Sequence, residues 1–148
     1  MHIRKATTSD LDQLSNLFDQ FRLFYQKPAD KLAALAFLKE RLENNESEIF
    51  VAQDGNLLCG FTQLYPLFSS TRMKRLWLLN DLYVAPPYRG KGISKQLIEA
   101  AKNLCRQTNA CAVMLETAKS NLTGNNLYPA QGFELNTEFN FAPIPMME

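Results

Sequence analysis

A short run of glycines and basic residues, Arg89-Gly90-Lys91-Gly92-Ile93-Ser94, has the residue types best suited to chemistry. It follows an apolar strand-like run, Trp77 to Val84, and opens a segment with apolar residues at helical spacing. The first turn of a helix leaves backbone N–H groups unpaired, and glycine lets that backbone approach a phosphate closely. The sequence therefore predicts an anion-binding turn to which Arg89 and Lys91 add charge. The alternative is a plain strand-to-helix turn with two solvated basic residues.

Two common phosphate-binding folds do not fit this turn. A P-loop requires Ser or Thr directly after its Gly-Lys pair, whereas Gly92 follows Lys91. A dinucleotide-binding fold requires three spaced glycines in its first strand-to-helix turn, and Ser94 and Lys95 interrupt that pattern. The run from Ala112 to Thr117 reads as the next strand, so turn, helix and strands form one βαβ unit.

The elements that must position this turn can be predicted from hydrophobic periodicity and turn residues. The predicted elements are a strand over Ile3 to Ala6, a helix capped by Thr8 or Ser9, a second helix from near Pro28 to Asn44-Asn45, a hairpin of Ile49 to Ala52 and Leu57 to Leu67 around Asp54-Gly55-Asn56, and a polar loop over Ser69 to Lys74. The pattern is typical of a continuous α/β domain over residues 1–148.

Composition excludes several classes of protein. The net charge of +1 gives no global attraction to nucleic acid, and a solvated loop explains the cluster of Arg72, Lys74 and Arg75. No apolar run approaches the roughly twenty residues that cross a bilayer, and we expect a cytoplasmic protein without membrane contact. Three cysteines without CxxC spacing and one histidine offer no metal site, so we expect the cysteines to be buried, reduced and structural.

The segment from Asn80 to Ile93 resembles the acetyl-CoA-binding motif of the GNAT family of N-acetyltransferases. In that motif Arg or Gln is followed by two residues, Gly, one residue, and Gly or Ala. Arg89, Gly92 and Ser94 occupy these places, and the match departs at Ser94. A second block, ending in Gly132-Phe133 and containing Asn121 and Tyr128, is similar to a later signature of the family.

The resemblance implies a single-domain GNAT fold. This fold has a mixed, mostly antiparallel sheet whose parallel central strands splay apart, flanked by about four helices. It implies acetyl-CoA as cosubstrate, with its pantetheine arm in the gap between the splayed strands. The arm would be lined by Leu82, Tyr83 and Val84, and the backbone of Leu82 and Val84 would pair with its amides. The remaining implied cofactor residues are Arg89, Gly90, Lys91, Gly92, Ile93 and Ser94 at the pyrophosphate, and Asn121, Asn126 and Tyr128.

The implied chemistry is direct transfer of an acetyl group to an amine, which must be neutral to attack. Tyr128 matches the family's general-acid tyrosine, although its ring could instead cap the core. Several branches of the family carry Glu or His where this chain has Leu78 and Asn80, neither of which accepts a proton. Asp81 or Glu116 could accept it through ordered water. Strict alternation along the strand would place Asp81 on the face opposite to that of Asn80. A β-bulge, which the family has in this strand, would change the face to which Asp81 points.

The resemblance defines the amine acceptor less closely than the cosubstrate. The run from Leu79 to Val84 most resembles the branch of histone and polyamine acetyltransferases, which favours a polyamine, a small amine or a lysine-like acceptor. Phe24 and Tyr25 could face its pocket. The alternative function is a catalytically weak acetyl-CoA-binding regulatory module, favoured by the absence of an acid at Asn80.

Three features near the C-terminus qualify the resemblance. Gly124 stands where alanine is common in the fourth helix and is expected to loosen it. Pro129 is expected to end or kink that helix and so to shift Tyr128. The apolar run from Phe139 to Pro145 predicts a last strand and a tail that could pack across a partner in a homodimer.

Overall fold

The computed structural model describes residues 1–136, which fall into two compact units. The first unit spans Met1–Glu116 and the second begins at Thr117. The first contains β1 (His2–Lys5), α1 (Leu11–Phe24), α2 (Lys31–Glu43), β2 (Glu48–Asp54), β3 (Leu57–Ser69), β4 (Lys74–Val84), α3 (Ile93–Gln107) and β5 (Val113–Met114). The second contains α4 (Leu122–Ala130). The predicted strand and tail from Phe139 to Pro145 lie outside the described residues.

The five strands form one sheet in the order β1-β2-β3-β4-β5. The first three pairings are antiparallel, and β4 and β5 are parallel. These two strands pair only where Trp77 faces Val113 and Leu78 faces Met114, whereas β4 continues to Val84. The predicted fold class is therefore confirmed: a mixed, mostly antiparallel sheet with diverging parallel strands, and four helices in the described part of the chain.

Helices α1 and α3 pack on opposite faces of the sheet. The ring of Phe61 in β3 lies 5.9 Å from that of Phe21 in α1, measured between centroids. Leu97 of α3 lies 3.5 Å from where a Cβ on Gly60 would stand. Since consecutive strand residues point to opposite faces, Phe61 and Gly60 mark the two sides. The α1 side holds a buried cluster of Leu14, Leu17, Phe18, Ala34, Leu38, Ile49, Val51, Leu58 and Phe61.

The starts of both N-terminal helices differ from the prediction. A 3-10 turn, Thr8–Asp10, precedes α1, and Thr7 rather than Thr8 or Ser9 is its N-cap residue. Helix α2 begins at Lys31, because the side chain of Asp30 accepts a hydrogen bond from Ala33 N–H at 3.1 Å and caps the helix there.

Strand lengths differ as well. The predicted loop over Ser69 to Lys74 is shorter, because Ser69 and Lys74 are the last paired residues of the β3–β4 hairpin. The guanidinium of Arg75 lies 5.2 Å from the ring centre of Phe68 and covers this end of the hairpin. Conversely, β5 comprises only Val113–Met114 instead of Ala112 to Thr117, because β4 diverges from it after Leu78.

Candidate active site

The glycine-rich turn between β4 and α3 has the conformation that its sequence requires. Gly90 and Gly92 have φ angles of +78° and +79°, a region that favours glycine. Gly92 is the N-cap of α3, and its carbonyl accepts a hydrogen bond from Gln96 N–H at 3.2 Å. Ile93 is buried and Ser94 half-buried. The Cβ side of both glycines is open for 4 Å, so an anion can approach the N–H groups of this turn.

Two exposed basic side chains lie beside the turn. Nε of Arg89 donates to the carbonyl of Val84 at 2.9 Å, and its guanidinium lies 5.4 Å from the ring centre of Tyr83. Nζ of Lys91 lies 5.4 Å from the ring centre of Tyr88. Both charges are therefore held at the turn that joins β4 to α3, and the start of α3 adds a partial positive charge there.

Within residues 1–136, the end of β4 has no neighbouring strand on one side. The Tyr83 carbonyl points towards β3, since it lies 3.0 Å from where a Cβ on Gly60 would stand. Backbone groups alternate along a strand, so those of Leu82 and Val84 point towards β5, which no longer pairs there. An extended amide chain could therefore add to this side of the strand. The Val84 carbonyl already accepts a hydrogen bond from Arg89.

A β-bulge lies in β4 at the residues expected to perform proton transfer. Asp81 pairs with Gln63, and Leu79 pairs with Leu64, so Asn80 is the extra residue. Strict alternation would place Asp81 on the same face as Leu79. The bulge instead puts it on the face of Gln63, because directly opposite residues share a face.

That face is the one that packs against α1. Two residues beyond Asp81, Tyr83 lies opposite Phe61 in the antiparallel pairing. Both rings contact Phe21 of α1, at centroid distances of 6.3 and 5.9 Å. The ring of Tyr25, the C-cap residue of α1, lies 5.1 Å from that of Phe21. The bulge therefore brings a carboxylate to an aromatic region at the end of α1.

The carboxylate of Asp81 is held by amides. Only 2% of the residue is exposed. Nε2 of Gln63 donates to Oδ2 at 2.5 Å, and Nδ2 of Asn80, an exposed residue, donates to Oδ1 at 2.8 Å. Oγ of Ser47 in turn donates to Oε1 of Gln63 at 2.8 Å. Asn80 and Asp81, both predicted site residues, therefore lie in one network with two residues that the sequence did not single out.

Burial controls the protonation of this network. It raises the pKa of Asp81 above the ordinary value of 3.8, and the hydrogen bonds from Gln63 and Asn80 oppose the shift. Burial, with a smaller effect of the Asp81 charge, raises the pKa of Tyr65 to about 12. The same two causes raise the pKa of Tyr25. The two phenols are therefore protonated at neutral pH, and a proton released nearby goes to the carboxylate first.

The second unit contains three further predicted site residues. Asn121 is the N-cap of α4: its Oδ1 accepts from Gly124 N–H at 3.1 Å, and its Nδ2 donates to Oγ1 of Thr117 at 3.0 Å. A Cβ on Gly124 would lie 2.6 Å from that Nδ2, so glycine makes room for the cap instead of simply loosening the helix. Asn126 is exposed on α4.

Tyr128 is half-buried on the same helix, and its ring lies edge-on to that of Phe133 with centroids 5.8 Å apart. Pro129 is followed by one more helical residue, Ala130, so the helix ends close to where the proline was expected to stop it.

The remaining predicted residues play smaller parts in the described structure. Glu116 is exposed and lies two residues beyond the end of β5, in contrast to the buried Asp81. Cys59 is buried as expected, whereas Cys105 and Cys111 are half-buried; all three are free thiols. Within residues 1–136, no group of His, Cys, Asp and Glu side chains is arranged to hold a metal ion. No helix in this range is both long and apolar enough to cross a membrane.

Comparison with known sequences gives consistent matches along most of the chain. The model of the acetyltransferase (GNAT) family matches residues 11–133. An uncharacterized N-acetyltransferase of Bacillus subtilis (strain 168), YhfO, is 46% identical over 139 residues, which cover 94% of this chain and 93% of the relative. A probable acetyltransferase of Haemophilus influenzae is 31% identical over 137 residues, 92% of each chain.

Solved structures agree with these matches. The crystal structure of a probable acetyltransferase has a TM-score of 0.94 at 36% identity, covering 100% of this chain and 99% of that one. An aminoglycoside N-acetyltransferase in complex with CoA has a TM-score of 0.82 at 22% identity, covering 98% of this chain and 95% of that one. The second similarity, at its low identity, extends to the fold alone.

Proposed function

Because this chain belongs to the GNAT family of N-acetyltransferases, which use acetyl-CoA, we propose that it acetylates a primary amine of a small molecule, a polyamine or a lysine-like acceptor. The observation that carries the proposal is the buried carboxylate of Asp81, turned by the bulge to the α1 face of the sheet. An alkyl amine has a pKa near 10 and is mostly charged at neutral pH, so its acetylation needs a proton acceptor.

In the proposed reaction, the neutral amine nitrogen attacks the thioester carbonyl carbon, and the bond between that carbon and sulfur breaks. Asp81 is the terminal acceptor of the amine proton through ordered water, and a raised pKa suits a carboxyl group to this task. Asn80 positions Asp81 by its hydrogen bond to Oδ1. Glu116, exposed beyond β5, is the less favoured acceptor.

The turn residues fit the cosubstrate. Arg89 to Ser94 would hold its pyrophosphate, since the open side of Gly90 and Gly92 leaves room for an anion at the helix start. Leu82, Tyr83 and Val84 would line the pantetheine arm. The backbone of Leu82 and Val84, on the side of β4 that β5 leaves open, would bond its amides. Acetyl-CoA supplies the activated acetyl group.

Three assignments in the second unit rest on their places in the family motif. Tyr128 is proposed to protonate the departing thiolate, because a phenol carries an O–H group that can donate a proton. Asn121 and Asn126 are proposed to contact the cosubstrate. The cap made by Asn121 orders the start of the helix that carries Tyr128.

Charge and burial around Asp81 support the proposed class of acceptor. A carboxylate whose charge acts on the phenols of Tyr25 and Tyr65 suits a cationic amine on an apolar stem. The likeness of Leu79 to Val84 to histone and polyamine acetyltransferases supports the same class. The absence of an acid at Asn80 favours the regulatory alternative, and the carboxylate of the neighbouring Asp81 counts against it.

Other predictions about the whole protein stay proposals. The family match over residues 11–133 includes parts of both units, which supports one acetyltransferase domain over 1–148. A cytoplasmic location and a homodimer are expected, without nucleic acid or membrane as partners. The segment behind the dimer prediction, Phe139 to Pro145, lies outside the described residues.

A thiol-release assay with acetyl-CoA and a panel of polyamines, aminoglycosides, amino acids and lysine peptides tests the proposal. We expect turnover with one class of amine, and a loss of about 100-fold or more in kcat/KM for Asp81→Asn, with acetyl-CoA affinity unchanged. The control is Asp12→Asn, which removes a carboxylate whose side chain is 81% exposed and should act like wild type. If Asp81→Asn keeps the kcat/KM of wild type from pH 6 to 9, Asp81 is not the proton acceptor. Absence of acetyl-CoA binding would overturn the whole proposal.

A further inference from the structure

Gln63 occupies an unusual place for a polar side chain. It lies in the middle of β3, within the apolar run from Leu57 to Leu67, and is completely buried. Burying an amide without hydrogen bonds is costly to folding, so its partners determine whether the fold tolerates it. Its partners include the carboxylate of Asp81 and the hydroxyl of Ser47, which is itself 8% exposed, and its side chain also interacts with the phenol of Tyr65.

The chemistry of these groups permits one arrangement of protons when Asp81 is charged. The ionised carboxylate only accepts hydrogen bonds, so the NH₂ of Gln63 must face it. Oε1 of Gln63 then faces Ser47, whose hydroxyl must donate. At the other end, Thr62 Oγ1 donates to the backbone carbonyl of Asp81 at 2.8 Å. The carboxylate and the bulge that carries it are both fixed from β3.

We propose that Gln63, oriented by Ser47, is a positioning residue that holds the carboxylate of Asp81 in one orientation towards the acceptor amine. The inference rests on the proposed role of Asp81. It assigns a task to two side chains whose burial is otherwise a cost to folding. Asn80 fixes the other carboxylate oxygen, so the plane of the carboxylate is defined by amides at both ends.

The other charged and titratable groups around Asp81 should not mask the effect of Gln63 on its titration. Tyr25 from the end of α1 and Tyr65 from β3 are neutral at working pH, because burial raises the pKa of both. Arg41 of α2 acts on Tyr65, and its guanidinium is paired with Glu40 at 3.1 Å and Glu46 at 3.2 Å. Amides rather than a cation therefore stabilise the charged form of Asp81.

The test is the pH profile of kcat/KM for Gln63→Met, which keeps the length of the side chain and removes its donor. Losing a hydrogen bond to the charged carboxylate raises its pKa, so the acid limb should move to higher pH by about one unit. The plateau of kcat should fall about tenfold or more, with KM for acetyl-CoA unchanged, because the carboxylate is no longer oriented.

Serine variants provide matched comparisons. Ser47→Ala removes the hydroxyl that orients Gln63 and should shift the profile in the same direction by less, whereas Ser47→Thr keeps the hydroxyl and should restore it. Ser15→Ala removes another buried hydroxyl, which donates to the carbonyl of Asp12 at 2.8 Å, and should leave the profile unchanged.

Carbon-13 NMR of labelled aspartate follows the titration of Asp81 without turnover. An unshifted Asp81 signal in folded Gln63→Met and Ser47→Ala would overturn the inference even if wild type is active. If the signal shifts but wild type is inactive, the hydrogen bonds from Ser47 through Gln63 to Asp81 are supported and the proposed reaction is refuted. If Gln63→Met fails to fold, the serine variants alone decide, and equal profiles for alanine and threonine would refute the inference.

Discussion

Asp10, before α1, and Asp81, at the bulge of β4, expose 8% and 2% of their surfaces, and the chain surrounds them differently. Asp10 accepts two hydrogen bonds from the guanidinium of Arg4, both at 2.8 Å, and one from Thr7 N–H at 2.8 Å. Asp81 accepts from two neutral amides. The hydrogen bond from Arg4 lowers the pKa of Asp10, whereas burial raises that of Asp81.

The difference separates two uses of a buried carboxylate. A cation with a bidentate fork favours the charged form strongly, so Asp10 stays ionised and ties β1 to the start of α1. Amides orient a carboxylate while compensating less of its desolvation, so Asp81 binds a proton more readily. The first arrangement suits a structural ion pair, and the second suits proton transfer.

Removing the guanidinium of Arg4 from the Asp10 pair should have the largest effect on stability of the variants compared. Arg4→Met leaves Asp10 charged, poorly hydrated and without its bidentate partner. The Arg4 side chain is 29% exposed, so water compensates in part, and we expect a loss of about 2–3 kcal/mol in the free energy of unfolding at pH 7. Urea denaturation measures it.

The control for this variant is Arg106→Met. Its side chain is 63% exposed and pairs with Glu99, which is 53% exposed, so the loss should stay below about 0.5 kcal/mol. Equal losses in the two variants would show that the Asp10 pair is no stronger than an ordinary surface pair.

Asp10→Asn should have a smaller effect that depends on pH. Because the folded pKa of Asp10 is lowered, its carboxylate adds stability above the ordinary value and loses it as pH falls through the folded value. We expect a loss of about 1–2 kcal/mol at pH 7 that disappears as the pH falls below about 4. Urea denaturation from pH 7 to pH 3, with the exposed Asp12→Asn as control, would refute this if the loss were constant.

Local patterns allowed the sequence to predict one half of the candidate site. The turn at Gly90 and Gly92 is encoded by residues that are neighbours in the chain, and both glycines have the positive φ that the pattern requires. Asp30 was also a readable capping signal, since its side chain and Ala33 N–H are three residues apart. The predicted start near Pro28 is wrong, because the cap made by Asp30, and not the proline, sets where α2 begins.

The network around Asp81 depends on contacts between distant residues. The pairing of β2 with β3 brings Ser47 to Gln63. The register at the bulge brings Gln63 to Asp81. The bulge itself was expected only from the family resemblance. One signal could have identified Gln63: it is a long polar side chain in a mostly apolar strand run.

The smallest predicted effect is on the stability of Asp81→Asn, and it depends on pH. A raised folded pKa means that the folded protein holds a proton which the unfolded chain has released. Wild-type stability should therefore be fully retained below the ordinary Asp value and should fall as pH rises towards the folded pKa. Asp81→Asn removes this cost, and Gln63 can turn its amide to accept from the new NH₂ while Ser47 accepts from Gln63.

We therefore expect Asp81→Asn to match wild type near pH 4 and to exceed it by up to about 1 kcal/mol at pH 7, in free energies of unfolding from urea denaturation. Its difference from wild type thus changes with pH in the direction opposite to that of Asp10→Asn. Lower stability at pH 7 than at pH 4, relative to wild type, would mean that Asp81 is held as a structural anion like Asp10. The same variant combines lost turnover with retained stability only if the carboxylate serves the reaction rather than the fold.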